Sequence, residues 1–523
     1  MHLLKRSESN KIMMKFAVLI LVLFAFSTNM IAQSKKSKPN ILVIFGDDVG
    51  VTNVSAYSRG LMGFTTPNID KIGNDGAVFV QYYAQQSCTA GRAAFITGQS
   101  PYRTGLTKVG LPGSPIGLQK EDPTIAEFLK PLGYTCGQFG KNHLGDQDKY
   151  LPTEHGFDEF FGNLYHLNAE EEPENPDYPK GEEFKKAFGP RGVLRATAGG
   201  KVEDTGPLTK KRMETIDEEF LAAAKDFITK SAKAGKPSFT WFNSTRMHVF
   251  THLKPSSLGK TGLGTQADGM VEHDAMVGEL LKLLDDLKIA DNTIVIWTTD
   301  NGAMKNQWPD GGSSPFRSEK DTNWEGAYRA PAVVRWPGVI KPGSNLTGLF
   351  SAEDWLPTLV AAAGGDQNLV ASVQNGAQEG NKNFKVHLDG YNQLPYLKGQ
   401  SPTARHEFVY FDDDGNLVAY RDERFKYIFQ AQYAKGMEIW RNPMVKLRGP
   451  LTVDLLADPF EYAVDGSIGY EKWLIDRAFL ILPAVAKVSK YLETYRQFPP
   501  RQAPATFSID DVIAKLPKPQ IER

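Results

Sequence analysis

Cysteine is nearly absent from this chain, which contains two, Cys88 and Cys136, in 523 residues. At most one disulfide can form, so small secreted scaffolds that depend on several disulfides are excluded. Cys136 lies in GYTCGQFG and is interpreted as a small residue of a buried strand. Cys88 lies in CTAGR, a small and polar stretch that leads into a helix-like segment and ends at Arg92. A buried free thiol is the simplest interpretation of Cys88, but a thiol at the start of a helix also suggests chemistry.

An excess of charge of either sign is absent too. The formal net charge is −1 at pH 7, and the chain has no sustained basic stripe, heptad run or internal repeat. We therefore expect no nucleic acid partner and no attraction to an acidic lipid surface. The length and the apolar fraction of 41% predict a globular protein with one large domain and one smaller domain.

The long apolar run at the N-terminus, residues 16–26, is shorter than the roughly 20 residues that a membrane-spanning helix needs. Basic residues precede it, and small and polar residues follow it up to Ala32. This order predicts a secretory signal peptide over residues 1–32. We expect an exported protein, periplasmic or secreted, with no stable membrane insertion after cleavage; an uncleaved anchor is the alternative.

Short apolar runs alternate with helix-like segments over most of the chain. The run NILVIFG, residues 40–46, is typical of a central parallel strand, and the order helix, glycine, strand then repeats. This predicts an α/β fold with a large, mostly parallel (mixed) sheet flanked by helices, over residues 33–404. Beyond residue 404, short strands joined by Asp-Gly and charged turns predict an antiparallel sheet in a smaller C-terminal α+β subdomain, residues 405–523.

Acidic residues follow two of the predicted strands. Asp47 and Asp48 end ILVIFGDD, and Asp300 and Asn301 end TIVIWTTDN. Ligands in open parallel sheets bind beyond the carboxyl ends of the strands, and carboxylate and amide oxygens suit Ca²⁺ or Mg²⁺ better than zinc. Helix capping by these acids is the alternative, but two such pairs together favour a metal site.

Basic and imidazole side chains occupy similar places after other strands. Lys141 and His143 follow the strand of Cys136, His248 follows another, and Lys320 lies in a loop before a further strand. A single histidine after a strand is more often structural. The combination of a metal, lysines, an arginine and neutral histidines suits a tetrahedral oxyanion such as sulfate or phosphate.

At these residues the chain resembles the type I sulfatases, which share the alkaline phosphatase-like fold. CTAGR fits their Cys-x-Pro/Ala-x-Arg signature, and further segments that resemble the family's conserved blocks occur in the family's order, between about residues 40 and 465. In detail, the sequence is similar to that of a bacterial arylsulfatase subgroup. These further blocks are NILVIFGDD, TPNIDKI, TGQSPYRTGL, GKNHLG, TTDNG, KDTNWEGAYRAPAVVRWPG and DLLADPFEY.

The resemblance implies a sulfuric ester hydrolase of the arylsulfatase type. Cys88 would be oxidised to Cα-formylglycine by a formylglycine-generating (sulfatase-maturating) enzyme, and the hydrate of that aldehyde would attack the sulfur of a sulfate ester and then expel sulfate. Arg92 would hold the hydrate, and His143 would deprotonate its second hydroxyl. The other implied roles are Ca²⁺ binding (Mg²⁺ possible) by Asp47, Asp48, Asp300 and Asn301, sulfate binding by Lys141, His248 and Lys320, and protonation of the leaving group by His248 or Lys320.

Several positions depart from the family pattern or are left open. Ala90 and Gly91 stand where many members have proline and serine, and Asn142 replaces a frequent tryptophan. Asn243, Arg246 and His252 are candidates for substrate contact. The acidic segment 170–183 is interpreted as a solvated loop.

Two other functions remain possible from the sequence. A formylglycine-dependent hydrolase of phosphonate monoesters or phosphate diesters would use the same geometry on phosphorus. A non-catalytic secreted binding protein on the same fold would be expected to have lost site residues, whereas every expected position is retained here.

Overall fold

The computed structural model describes residues 38–307, 311–380 and 382–507. The predicted signal peptide, residues 1–32, lies outside these ranges, so its cleavage stays a prediction. Across the described ranges, no helix combines the length and the apolar character needed to cross a membrane.

One large mixed sheet of ten strands forms the centre of the described chain. The ten strands are β1 Asn40–Gly46, β2 Ala77–Tyr83, β3 Thr135–Gly140, β4 Glu159–Gly162, β5 Leu194–Thr197, β6 Glu203–Asp204, β7 Ser238–Asn243, β8 Thr293–Thr299, β9 Ala332–Arg335 and β10 Ser344–Ser351.

The order of the strands across the sheet is β10-β2-β9-β8-β1-β7-β3-β4-β5-β6. β1 pairs in parallel with β7 and β8, β3 with β7 and β4, and β2 with β10. β9, β5 and β6 are antiparallel to their neighbours. The predicted α/β sheet is confirmed.

Helices cover both faces of this sheet. The longer ones are α1 Pro67–Asn74, α2 Cys88–Thr97, α3 Ile216–Lys233, α4 Thr265–Asp286, α5 Trp355–Ala362 and α6 Ile481–Gln497. The shorter ones are Ser55–Ser58, Pro101–Thr104, Ile125–Leu129, Leu167–Glu171, Glu182–Phe188, Lys210–Met213, Glu325–Tyr328, Leu369–Asn375, Leu394–Leu397 and Tyr470–Ile475.

The period of two along β1 divides the core into two layers. Val43 belongs to a buried cluster that includes residues of α2 and α5, whereas Ile44 belongs to a second cluster with residues of α1, α3 and α4. Successive strand residues point to opposite faces, so an apolar run without polar interruption is what a strand covered on both sides requires. This arrangement leaves the ends of the strands as the place for polar side chains.

A separate antiparallel sheet lies in the C-terminal part, as expected. Its four strands are β13 Glu407–Phe411, β14 Leu417–Asp422, β15 Phe425–Ala431 and β16 Val445–Asp454, and a short hairpin, β11 Ala377–Glu379 and β12 Lys382–Phe384, precedes it. Apolar residues of this sheet pack against Tyr83, Trp324 and Tyr328 of the main sheet region, and Val488 of α6 packs on its other side. The domain boundary at residue 404 stays a prediction.

Candidate active site

The acids predicted from the strand ends meet at one point. β1 and β8 are parallel neighbours, so Asp47 and Asp48 at the end of β1 lie beside Asp300 at the end of β8. One oxygen from each of these three carboxylates lies within 4.8 Å of the others, and all three side chains are buried. Asn301 joins them, because its Nδ2 donates to Asp48 Oδ1 at 2.8 Å.

The oxygens of this cluster fit a bound cation. Asp47 Oδ1, Asp48 Oδ2 and Asn301 Oδ1 are buried and have no hydrogen-bond partner in the described residues. A buried carboxylate oxygen without a partner is costly, so native proteins normally pair it or place it on a metal. All the donors are oxygens, which hard divalent cations prefer. The cluster is therefore compatible with a divalent metal site.

Three buried cations surround the acids. Lys141 Nζ lies 2.6 Å from Asp47 Oδ2, Arg92 Nη2 lies 2.7 Å from Asp300 Oδ2, and Lys320 Nζ lies 2.6 Å from Asp48 Oδ1. Asp47, Asp300, Arg92 and Lys141 are fully shielded from solvent, and Asp48 and Lys320 are nearly so. Each acid thus has at least one cationic partner, and predicted residues from five segments of the chain form one cluster.

The charges in this cluster fix one another's ionisation. Burial raises the pKa of Asp48, but Lys320 and His248 outweigh it, so the net shift is downward. Burial lowers the pKa of Lys320, but Asp48 and the neighbouring Cys88 outweigh it, so the net shift is upward. Both groups are therefore charged at neutral pH.

Cys88 is the first residue of α2 and is 1% exposed. Its Sγ lies 3.9 Å from Lys320 Nζ, and burial raises the pKa of the thiol. Arg92, one turn further along α2, donates to Asp300 and, through Nη1, to the main-chain oxygen of Lys141. Its predicted contact with the modified form of residue 88 stays a prediction. Lys141, Lys320 and the helix N-terminus favour negative charge at position 88, but for the thiol itself burial outweighs them.

The backbone geometry around Gly91 in CTAGR explains why this position has no side chain. A Cβ placed on Gly91 would lie 1.7 Å from the main-chain oxygen of Asp300. Helix α2 and the end of β8 are therefore in direct backbone contact, and this contact sets Cys88 beside the acids. The departure from the family's usual serine at this position is consistent with that close approach.

Two histidines face the cluster with free ring nitrogens. His143 Nε2 lies 3.1 Å from the Gly110 carbonyl oxygen, which only a protonated nitrogen can satisfy, and its buried Nδ1 has no partner in the described part of the chain. His248 Nδ1 lies 2.6 Å from the Val249 carbonyl oxygen, which leaves Nε2 unprotonated and 3.9 Å from Asp48 Oδ2. Burial and Lys141 lower both pKa values, that of His248 to about 3.

His166 is a site residue that the sequence reasoning missed. Its ring lies between those of the two predicted histidines, with centroids 5.7 Å from His143 and 6.0 Å from His248. It follows the end of β4, so the rule that found the other histidines would also have found this one.

The positions left open separate into different roles. Arg246 is buried in ion pairs with Asp217 (3.1 Å) and Glu272 (2.9 Å), which is a structural environment. His252 lies 2.6 Å from Glu171 Oε2. Asn243 is buried, and neither polar atom of its side chain has a partner among the described residues.

The interpretation of segment 170–183 as a solvated loop is wrong at its start. Glu170 is buried at the end of a short helix, and burial raises its pKa to about 8. Glu171 is half-buried, and the glutamates from Glu172 onward are exposed, as expected. Leu167 and Ala169, which precede Glu170 on the same short helix, are buried with it.

A cavity of about 820 Å³ opens beside the cluster. His248, Lys320 and His166 lie in its wall, so the cavity and the charged cluster form one site. Apolar side chains make up much of the remaining wall: Val109, Leu111, Val249, Phe250, Met304, Met437, Trp440 and Phe507.

Comparison with known proteins gives one consistent assignment. The Sulfatase family model matches residues 39–365. Arylsulfatase A of Bos taurus is 32% identical over 467 residues, covering 87% of both chains, and N-acetylgalactosamine-6-sulfatase of Canis lupus familiaris is 30% identical, covering 82% of this chain and 77% of that protein. The crystal structure of the PsFucS1 sulfatase from Pseudoalteromonas sp. superposes with a TM-score of 0.79 at 27% identity, covering 91% of this chain and 95% of that one. This chain belongs to the sulfatase family and is a type I sulfatase of the alkaline phosphatase-like fold.

Proposed function

We propose that this enzyme releases inorganic sulfate from a sulfate ester by means of a Cα-formylglycine formed from Cys88 and a Ca²⁺ ion, with Mg²⁺ as the alternative metal. The observation that carries the proposal is that three buried oxygens without hydrogen-bond partners among the described residues lie beside Cys88 and two lysines, one of which, Lys320, lines the wall of the cavity. Asp47, Asp48, Asp300 and Asn301 would hold the metal.

The aldehyde hydrate would supply two hydroxyl groups on one carbon, one to attack sulfur and one to allow sulfate to be expelled. The chain's own part is electrostatic. Lys320 lies next to Cys88 and stays protonated, so it binds a sulfate oxygen and stabilises the charge that grows on the sulfuryl group. Lys141, held by Asp47, acts on the same side of the cluster.

His143 and His248 would act as the general base and the general acid. His143 presents an unprotonated Nδ1 with no competing partner, which suits a base that takes a proton from the group at position 88. His248 Nε2 is unprotonated in the free site. A bound sulfate would raise the pKa of His248 through its negative charge, so that this residue can protonate the departing alcohol or phenol; Lys320 is the other donor.

The leaving group and the partners belong to the same proposal. The relatives are named for aryl sulfates and for a sulfated amino sugar, so either an aromatic or a sugar sulfate is a starting candidate. Maturation requires a formylglycine-generating enzyme, and export follows from the predicted signal peptide.

The mass of the tryptic peptide that spans residues 72–92 tests the nucleophile. Protein exported by its native host should give the mass of the aldehyde or its hydrate at position 88. An unmodified thiol would contradict the proposed nucleophile and favour the non-catalytic alternative.

A side-by-side assay with nitrophenyl sulfate and phenyl phosphonate on matured protein tests the reaction. We expect faster turnover of the sulfate. Much faster turnover of the phosphonate would assign the chain to the phosphorus-directed alternative.

A further inference from the structure

The chain beyond α6 turns back across the main domain. Residues 498–507, which we name the C-terminal strap, follow the end of α6 at Gln497. The main-chain nitrogen of Arg501 donates to the Arg103 oxygen at 2.8 Å. Gln502 Nε2 donates to the main-chain oxygens of Thr104 and Gly117, both at 2.8 Å. The strap is thus tied to the segments that follow α2.

Close packing fixes the strap further. A Cβ on Gly105 would lie 2.5 Å from the Gln502 main-chain oxygen, and a Cβ on Gly415 would lie 2.8 Å from Pro504 Cγ. Arg501 Nε lies 3.5 Å from a carboxylate oxygen of the buried Asp122. Such contacts along its length hold the strap in one path rather than leaving it as a free tail.

Phe507 is the last residue of the strap. Its ring lies 4.7 Å from Lys108 Nζ, and Lys108 is itself held by Asp413 (2.5 Å) and Asp414 (2.9 Å). The side chain is nevertheless 59% exposed. Lys108 lies over one face of the ring, and the exposed remainder of the side chain is available to a ligand.

The exposed face of Phe507 lies in the wall of the 820 Å³ cavity, the same cavity that His248 and Lys320 line. Three other large apolar side chains of this wall are also exposed: Leu111 (37%), Phe250 (50%) and Met437 (58%). Exposed apolar residues that gather around one cavity mark a binding surface. The wall also contains polar residues, Asn168, Glu172, Asn306 and Gln307.

We propose that Phe507, presented by the C-terminal strap, is a specificity-determining residue that binds the apolar face of the leaving group of the sulfate ester. The proposal rests on the proposed function, since the sulfate must sit at the His248 and Lys320 end of the cavity for the leaving group to reach Phe507. Both an aromatic ring and the apolar face of a sugar ring have the required chemistry.

The test compares phenyl sulfate with 2-naphthyl sulfate, whose phenols are similar in acidity but differ in apolar area, on the matured full chain. Phe507→Ala should lower kcat/KM for 2-naphthyl sulfate about tenfold, chiefly through KM, and that for phenyl sulfate about threefold or less. Inhibition by inorganic sulfate should not change, and Phe507→Tyr should restore most of the loss. Phe479→Ala, which removes another exposed phenylalanine (70%, against 59% for Phe507) that does not line the cavity, is the matched control.

Equal losses on both substrates, a parallel change in sulfate inhibition, or no change at all would overturn the proposal. A monosulfated hexose assayed in parallel identifies the source of the apolar face, because a larger Phe507 effect on the hexose than on the naphthyl ester assigns it to a sugar.

Binding to the Cys88→Ala variant separates this inference from the proposed function. Calorimetry with 2-naphthyl sulfate should show affinity about tenfold weaker when Phe507→Ala is added, even though neither variant turns over. Phe507-dependent binding without turnover by the matured enzyme would refute the proposed reaction and leave this inference standing. Equal affinity for 2-naphthyl sulfate with and without Phe507→Ala would overturn the inference.

Discussion

Two buried charge clusters in this enzyme contain the same residue types but differ in how completely their carboxylates are paired. The open cluster, at the ends of β1 and β8, consists of Asp47, Asp48, Asp300, Arg92, Lys141 and Lys320. The closed cluster, between the two sheets, consists of Glu325, Glu461, Lys426 and Arg421. Both are almost completely shielded from solvent.

In the closed cluster, other side chains of the protein donate hydrogen bonds to both carboxylate oxygens of Glu325. Glu325 accepts from Tyr83 Oη (2.5 Å), Tyr410 Oη (2.7 Å) and Lys426 Nζ (3.1 Å), and Lys426 Nζ also lies 2.8 Å from Glu461. Burial raises the pKa of Glu325, but Lys426 and Arg421 outweigh it and lower the pKa to about 2. No oxygen of Glu325 remains for a ligand.

In the open cluster, Asp47 Oδ1 and Asp48 Oδ2 have no hydrogen-bond partner among the described residues, and neither does Oδ1 of the adjoining Asn301. One oxygen from each of Asp47, Asp48 and Asp300 lies within 4.8 Å of the others. Burial and charge alone therefore do not distinguish a functional site from a structural one. Convergent unpaired acceptors do, because the protein leaves them unpaired only where something else binds them.

The largest effect should come from removing Cys88, the precursor of the proposed nucleophile, which lies beside the open cluster. Cys88→Ala should lower the hydrolysis of 4-nitrophenyl sulfate at least about a thousandfold without lowering Tm, because it removes the attacking group and little packing. Cys136→Ala is the control, since that thiol lies within β3 and should affect stability only. Substantial activity in Cys88→Ala would contradict the assignment of the nucleophile.

The second largest effect should come from removing the metal, which we expect to bind at the open cluster and not at the closed one. Dialysis against a chelator should abolish turnover and lower the free energy of unfolding, by about 2.7 kcal/mol if the ion had been present at a hundred times its Kd. Adding Ca²⁺ back should restore both. Turnover by protein shown by elemental analysis to be free of metal would refute the metal site.

A substitution in the closed cluster should lower the stability of the protein. Lys426→Met leaves Glu325 and Glu461 buried without their shared cation and should cost about 3–5 kcal/mol of unfolding free energy, measured by urea denaturation. Lys71→Met removes an exposed i,i+4 pair with Asp75 and should cost less than about 0.5 kcal/mol. Equal costs would remove the distinction between a buried and an exposed pair.

The backbone contact under the open cluster gives a smaller stability effect. Gly91→Ala must separate α2 from the end of β8 and should cost about 1–3 kcal/mol, with a fall in kcat as Cys88 moves away from the acids. Gly181→Ala is a suitable control, because a Cβ there meets nothing within 4 Å. A fully active Gly91→Ala variant would show that the contact does not position Cys88.

The smallest expected effect is on the pH dependence of stability. Burial raises the pKa of Glu461 from 4.5 to about 7. The folded state therefore binds more protons than the unfolded state between those values, so this group's contribution to stability is lost as pH rises through about 7. Glu461→Gln should gain about 1 kcal/mol relative to the wild type between pH 5 and pH 8 in urea titrations. A gain toward low pH would reverse the sign and refute the shift.

The sequence predicts much of the fold and of the open cluster for a physical reason. Parallel strands end at a common edge, so acids such as Asp48 and Asp300, some 250 residues apart, can be placed together from the strand pattern alone. The same rule places Lys141 and His143. The catalytic interpretation of Cys88 needed the family resemblance as well, because one thiol has no pattern of its own.

Other features depend on contacts that no local pattern reveals. Arg246 is a candidate for substrate contact in the sequence, but its partners Asp217 and Glu272 lie on separate helices, and only the packing shows that they pair. Phe507 is likewise separated by the whole C-terminal subdomain from the strand ends beside which it lies. The roles of such residues depend on which side chains they pair with and on where the chain places them in the fold, rather than on their residue type.

The burial of Cys88 sets an order of events during biosynthesis. A thiol that is 1% exposed at the start of a packed helix cannot reach the active site of another enzyme once the domain has formed. The proposed oxidation of Cys88 would therefore have to precede folding, so the rate of modification relative to the rate of folding would set the yield of active enzyme. Slower translation or delayed folding should then raise the fraction of modified molecules, and a chain that has folded without modification could no longer be activated.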